Sequence, residues 1–218
     1  MENAEDEDYY NDKTVTCTIF KSLVGSRASG TETSNSNWNW VYIELPSVER
    51  IYGFKSQKIR EKDSCGFIHI SIQDFLKQLS RGVPLALEIL FSPKIVEVEC
   101  GLPELAKMRN QFCTLKAASS FCKMTKQYRM DRATNREVCK MYKYYFYAEE
   151  IFEKGTLTIE NNPNLKFLKD VRAGIVGSYS DIYQKIRLLE EKIPKNCPDV
   201  DISEIGGEIM LSLLYYYK

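Results

Sequence analysis

Asn37 and Asn39 stand two positions apart in residues 24–45, VGSRASGTETSNSNWNWVYIEL, where the chain passes from small polar residues to aromatic and β-branched ones. Because side chains alternate across a strand, Asn37 and Asn39 would share one face and could converge on one ligand. The preceding Gly25 and Ser26 can open a helix, whose free N–H groups would hold an anion such as phosphate. A phosphate-binding turn beside two converging short side chains is the arrangement of a metal-dependent phosphoryl- or nucleotidyl-transfer site. Mg²⁺ prefers carboxylates, however, and the chain carries carboxamides at both positions.

The same segment resembles the DNA polymerase β-like nucleotidyltransferase superfamily, and within it the predicted nucleotidyltransferases of bacteria and phages. The pattern of that branch is Gly-Ser-Arg-Ala-x-Gly-Thr-x-Thr-x-x-Ser-Asp-x-Asp. The matching residues are Gly25, Ser26, Arg27, Ala28, Gly30, Thr31, Thr33 and Ser36. Asn37 and Asn39 replace the two metal-binding aspartates of the pattern. Two further stretches, residues 84–93 (PLALEILFSP) and about 144–191, extend the resemblance over most of the chain.

The resemblance implies an enzyme that transfers a nucleoside monophosphate from an NTP to an acceptor and releases pyrophosphate, using two Mg²⁺ ions. The implied catalytic and metal-binding positions are Asn37, Asn39 and Glu88, with aspartate required at the first two in an active form. The implied nucleotide- and phosphate-binding positions are Gly25, Ser26, Arg27 and Ser36. The implied fold is α+β and polymerase β-like, a small mixed sheet with helices, followed by a helical C-terminal region.

Two of these assignments have competing interpretations. Asn nearly matches Asp in shape but lacks its charge, so the chain is either a nucleotidyltransferase deliberately inactivated at these positions or a natural pseudoenzyme. Such a pseudoenzyme would bind nucleotide or RNA without chemistry. Glu88 interrupts the apolar run of residues 83–91, and a carboxylate there is costly to bury unless a cation or metal pairs with it. Its partner is therefore either the metal or a structural Arg or Lys.

Basic residues are concentrated in residues 104–143, which hold ten Lys or Arg against three acids, with aromatic residues between them. Such a pattern suits a nucleic-acid backbone and stacked bases, although charge runs also form ordinary exposed helical faces. The candidate RNA-binding residues are Lys116, Lys123, Lys126, Arg129 and Arg132. RNA is accordingly the favoured acceptor, and a protein target is the alternative.

Composition excludes several other kinds of site. His69 is the single histidine, which removes His-based metal clusters and His-activated nucleophiles. Seven scattered cysteines form neither a disulfide framework nor a Cys-x-x-Cys site and indicate free thiols in a reducing cytosol. No apolar run is long enough for a membrane span, and the N-terminus has no signal-peptide pattern, so a cytoplasmic protein is expected.

The elements that must position these residues can be placed along the chain. Residues 1–12 are expected to be an acidic flexible N-terminus, 13–115 the nucleotidyltransferase core, and 116–218 the helical region. Strands are predicted at residues 14–20, 38–45 and 66–70. Helices are predicted at residues 72–81, 137–154, 163–174, 179–193 and 208–217.

Overall fold

The computed structural model describes residues 15–47, 60–62, 67–97, 102–128, 133–203 and 206–207. These residues form a mixed α+β fold, in which one mixed sheet is covered by helices. The strands are β1 (Val15–Val24), β2 (Asn39–Pro46), β3 (Arg60–Lys62), β4 (Phe67–Ser71) and β5 (Ile95–Glu97). They are arranged in the order β3-β4-β2-β1-β5.

The strands β1 and β2 form the middle of the sheet. They are antiparallel, and Val24 at the end of β1 pairs with Asn39 at the start of β2. Strand β5 is antiparallel to β1, whereas β4 is parallel to β2. Strand β1 is four residues longer at its C-terminal end than the predicted strand 14–20, because Lys21 and Ser22 are paired on both sides. The turn after β1 therefore begins directly at Gly25.

Seven helices are described. They are α1 (Ile72–Ser80), α2 (Pro84–Leu90), α3 (Leu102–Met108), α4 (Leu115–Thr125), α5 (Asn135–Lys154), α6 (Leu165–Arg172) and α7 (Tyr179–Lys192), with a 3₁₀ turn at Arg109–Phe112. The predictions for α1, α5 and α7 are confirmed to within two residues at each end. The predicted helix 208–217 lies outside the described residues.

Capping explains where these helices begin. The Ser71 hydroxyl accepts the Asp74 N–H at the start of α1. At α5, Thr134 and Glu137 form a reciprocal capping box. The helix predicted to start at Pro163 begins two residues later, at Leu165, because the Asn162 side chain accepts the Asn164 N–H and forms a separate turn before it.

The hydrophobic core extends from the sheet into the helical region. Phe20 on β1 contacts Phe75 on α1, and Phe121 on α4 packs against Tyr147 on α5, all four with buried side chains. One continuous cluster of buried residues includes both pairs. The division of the chain at 115/116 remains a prediction, and residues 1–12 lie outside the described part. Among the described residues, no helix has both the length and the apolar character needed to cross a membrane.

Candidate functional site

A cavity of about 330 Å³ opens at the point where the end of β1 and the start of β2 meet helices α2, α4, α5 and α6. The strand ends and the turn after β1 contribute Val24, Gly25, Ser26, Thr31 and Asn39. The helices contribute Leu85, Glu88, Met124, Arg136, Cys139, Lys140, Lys143, Tyr144 and Arg172. Four residues with predicted site roles, Gly25, Ser26, Asn39 and Glu88, are therefore brought together.

The turn after β1 is built on Gly25, whose φ of 81° favours glycine. A Cβ at this position would lie 3.2 Å from Asn39 Nδ2, so glycine also leaves room for the Asn39 side chain. Gly25 and Ser26, which the sequence allows to open a helix, are followed in the structure by a turn. The Ser29 N–H bonds to Gly25 O, but the Thr31 N–H bonds back to Ser26 O, which ends the helical geometry after one turn.

Asn37 and Asn39 are placed differently. Asn39 is the first residue of β2 and shares its inward face with the buried Val41 and Ile43. Asn37 precedes the strand, its side chain is exposed, and it does not line the cavity. The shared strand face predicted from the two-residue spacing therefore begins at Asn39, and Asn37 belongs to the loop before it.

Arg27 and Ser36 organise that loop. The Arg27 Nε donates to Ser36 O at 2.9 Å, and the guanidinium carbon lies 4.3 Å from the centre of the Trp38 ring. The Ser36 hydroxyl accepts the Thr33 N–H at 2.9 Å. Neither Arg27 nor Ser36 lines the cavity. In this structure both residues hold the connection between β1 and β2 in place.

Glu88 on α2 forms a buried ion pair with Lys143 on α5. The Lys143 Nζ donates to Glu88 Oε1 at 2.5 Å, and the two residues are only 5% and 6% exposed. The sequence left two partners open for Glu88, a metal ion or a structural Arg or Lys. The contact with Lys143 is the second of these. The carboxylate of Glu88 is thus already bonded to a cation at the edge of the cavity.

The remaining charged groups of the cavity are basic. Arg136, Lys140 and Arg172 line it, and none of them forms an ion pair with the described residues. With Lys143, four basic side chains and one carboxylate give the lining a formal charge of +3. Such a surface attracts anions.

The helical spacing of Arg136, Lys140 and Lys143 was a signal for this cluster, because positions i, i+4 and i+7 lie on one helix face. These residues belong to the basic segment 104–143, and they were not predicted to be site residues. Arg172 comes from a separate helix, α6, and nothing in its local sequence indicated the cavity.

Two ionisable groups of the cavity are kept neutral. Burial, and next the charge of Glu88, raises the pKa of the Tyr144 phenol far above its ordinary value. Tyr144 therefore keeps its proton. Burial likewise raises the pKa of the Cys139 thiol, which lies 3.3 Å from Leu168 O. A protonated thiol is a poor nucleophile, so Cys139 packs α5 against α6 instead of supplying reactivity.

The residues at the predicted metal positions do not fit Mg²⁺. Asn39 offers a neutral amide, Glu88 is bonded to Lys143, and Asn37 lies outside the cavity lining. Within the described ranges, no three His, Cys, Asp or Glu side chains come together in an arrangement that could hold a metal ion. Four basic side chains around the same space would also repel a divalent cation.

Three of the five predicted RNA-binding residues, Lys116, Lys123 and Lys126, lie on or next to α4 and do not line this cavity. Lys116 forms an ion pair with Asp199, and Lys126 forms one with Glu190 at 2.8 Å. Lys123 is exposed and, with Lys116, lines a second cavity of about 540 Å³ that also includes Lys195. Arg129 and Arg132 lie outside the described residues.

Comparison of the chain with protein-family models, with curated proteins and with solved structures finds no match. The structure itself defines the chain as a mixed α+β protein with a basic cavity at the ends of two adjacent strands. The resemblance to nucleotidyltransferases accordingly rests on the residues of the motif and the two accompanying stretches.

Proposed function

We propose that this chain binds the polyphosphate of an NTP in the basic cavity. It would be a nucleotidyltransferase-like protein of polymerase β-like fold whose transfer chemistry is disabled by Asn37 and Asn39. The observation that carries the proposal is the convergence of Arg136, Lys140 and Arg172, which have no carboxylate partner among the described residues, on the Gly25–Ser26 turn. Arg and Lys are the side chains that bind phosphate most strongly, and Arg can donate two parallel hydrogen bonds to it.

The placement of the charges favours entry of an anion. Arg136 is exposed, Lys140 and Arg172 are half-buried, and Lys143 is buried, so positive charge extends from the surface into the cavity. The Ser26 hydroxyl and the Asn39 amide add neutral polar groups on the opposite, strand side. A volume of about 330 Å³ falls at the lower end of the range of roughly 300–1,000 Å³ that is typical of small-molecule sites.

Titration calorimetry with three probes tests the binding proposal. We expect ATP and inorganic tripolyphosphate to bind and adenosine, which lacks phosphate, to bind far more weakly. If adenosine binds as well as ATP, the cavity recognises the base or the sugar and the phosphate assignment is wrong.

A separate experiment tests the family assignment. The double variant Asn37→Asp, Asn39→Asp restores the carboxylates of the family pattern at nearly unchanged volume. It is incubated with labelled NTPs, Mg²⁺, total RNA and cell lysate, beside the unmodified chain and each single variant. Label that enters RNA or protein only with the double variant supports a nucleotidyltransferase ancestry. A folded double variant that binds ATP but labels no acceptor removes the transfer activity from the proposal and leaves the nucleotide binding.

RNA as the acceptor is supported by one observation, the second cavity lined by Lys116, Lys123 and Lys195. The double variant Lys123→Glu, Lys195→Glu should weaken binding of single-stranded RNA and reduce its dependence on salt. Lys107→Glu with Lys192→Glu is a control of equal charge that leaves this cavity unchanged. If the unmodified chain binds no RNA at low salt, a protein acceptor becomes the better candidate.

A further inference from the structure

The cavity has the opposite charge pattern from a site that binds a metal–nucleotide complex. A Mg²⁺ site is lined by carboxylates, and the metal then neutralises the phosphates. Here the strand side presents the neutral groups Ser26 and Asn39, and the helix side presents four basic side chains, of which Lys143 is paired with the one carboxylate, Glu88. The positive charge that would ordinarily arrive with the metal is already part of the protein.

Helix α5 holds three of these basic groups on one face. Lys140 Nζ lies 5.4 Å from the centre of the Tyr144 ring, and Lys143 Nζ lies 5.1 Å from the same ring. An aromatic face stabilises an ammonium group without neutralising its charge, so the positive charge of Lys140 remains available to a ligand. Arg172 reaches the cavity from α6, which packs on α5 through the contact between Cys139 and Leu168.

We propose that Arg136, Lys140 and Arg172, the basic side chains of the cavity that are not paired with Glu88, replace divalent metal ions, so that the cavity binds a metal-free nucleoside triphosphate in preference to its Mg²⁺ complex. This inference rests on the proposed function, because it concerns the same cavity and the same class of ligand. The Mg²⁺ complex carries less negative charge than the free triphosphate, and it would bring a dication close to Arg136, Lys140 and Arg172. Both effects weaken its binding relative to the metal-free form.

Calorimetric titration of the full chain with ATP, once in EDTA and once in excess MgCl₂ at matched ionic strength, measures the preference. We expect tighter binding in EDTA, by a factor on the order of ten, which corresponds to about 1.4 kcal/mol. Binding that is equal or tighter in MgCl₂ overturns the inference and leaves the proposed function intact. No binding of ATP under either condition overturns both.

A pair of matched variants locates the effect. Arg136→Ala with Arg172→Ala removes two positive charges from the cavity, one from α5 and one from α6. Lys154→Ala with Lys169→Ala removes two exposed positive charges from the same two helices without touching the cavity.

The first pair should weaken binding of ATP in EDTA by at least about tenfold, and should reduce the preference for the metal-free form. The second pair of replacements should leave both the affinity for ATP and the preference for the metal-free form unchanged. Equal losses in the two pairs would mean that the overall charge of the protein, and not this cavity, attracts the nucleotide. Arg136→Ala alone, at an exposed position, is the variant to measure if the double replacement does not fold.

Discussion

The ion pair between Glu88 and Lys143 gives the sharpest test of how the cavity is built. At 2.5 Å, the attraction between two unit charges is about 7 kcal/mol for an effective dielectric constant of about 20. Removing both groups from water costs several kcal/mol each, so the intact pair contributes little net stability. Removing one partner is different, because the other is then left buried without compensation.

We expect Glu88→Gln and Lys143→Met each to lower the free energy of unfolding by about 3 kcal/mol. This value is the lower end of the roughly 3–5 kcal/mol that is lost when one partner of a buried pair is removed. The lower end applies because both side chains border a cavity that water can enter. Lys126→Ala, which breaks the more exposed pair with Glu190, should cost less than about 1 kcal/mol and serves as the control.

The two variants should have opposite effects on binding of ATP. Glu88→Gln removes the negative charge of the cavity and releases the Lys143 ammonium for the ligand, so affinity should rise. Lys143→Met leaves the carboxylate facing the phosphates, so affinity should fall. Chemical denaturation gives the stabilities, and calorimetry in EDTA at a temperature where all variants are folded gives the affinities. If both variants lose affinity together, the pair acts through the fold alone and the electrostatic reasoning is wrong.

Two further predictions concern the turn and the core. Gly25→Ala and Gly155→Ala should each cost about 1–2 kcal/mol through the positive φ. Only Gly25→Ala should also impair binding of ATP, since its Cβ would crowd Asn39 whereas Gly155 has open space. Burial raises the pKa of Cys122 from 9.0 to about 12, so its contribution to stability is complete below pH 9 and is lost as the pH rises towards 12. Cys122→Ala should therefore make the alkaline fall in unfolding free energy less steep, which denaturation between pH 8 and about 11 measures; an unchanged slope would contradict this reasoning.

Local signals explain the parts of the fold that the sequence predicts well. Ser71 and Thr134 accept backbone N–H groups at the starts of α1 and α5, and Gly155 ends α5 with a φ of 64°. Each of these signals lies within one turn of the helix end that it caps. The alternation along β2 is also local, and it places Asn39, Val41 and Ile43 on one face of the strand.

The parts that the sequence does not predict depend on contacts between distant residues. Glu88 and Lys143 are 55 positions apart, so the sequence alone left the partner of Glu88 open between a metal and a basic residue. The sequence allowed a helix after Gly25, but residues 26–30 form a turn in which Gly30 has a φ of 69°. The cavity itself forms where residues of α2, α4, α5 and α6 meet the ends of β1 and β2, which are far from those helices in sequence.

The neutral Asn39 and the basic side chains around it both suit an anionic ligand, and this gives a last prediction. An amide at this position leaves the charges of Arg136, Lys140 and Arg172 available for phosphate, whereas a carboxylate would compete with the ligand for them. Asn39→Asp should therefore weaken binding of ATP in EDTA. In the same variant, addition of Mg²⁺ should strengthen the binding of ATP, because the new carboxylate is a ligand that the metal prefers.

The measurement is the affinity for ATP in EDTA divided by the affinity for ATP in MgCl₂. This ratio should fall from above one in the unmodified chain to below one in Asn39→Asp. Asn35→Asp is the matched control, since Asn35 is exposed, precedes β2 and does not line the cavity, and it should leave the ratio near its original value. If Asn35→Asp shifts the ratio as much as Asn39→Asp does, the added negative charge acts from a distance and not as a ligand in the cavity. If neither variant shifts it, the charge at position 39 does not act on the phosphates, and the nucleotide is bound elsewhere.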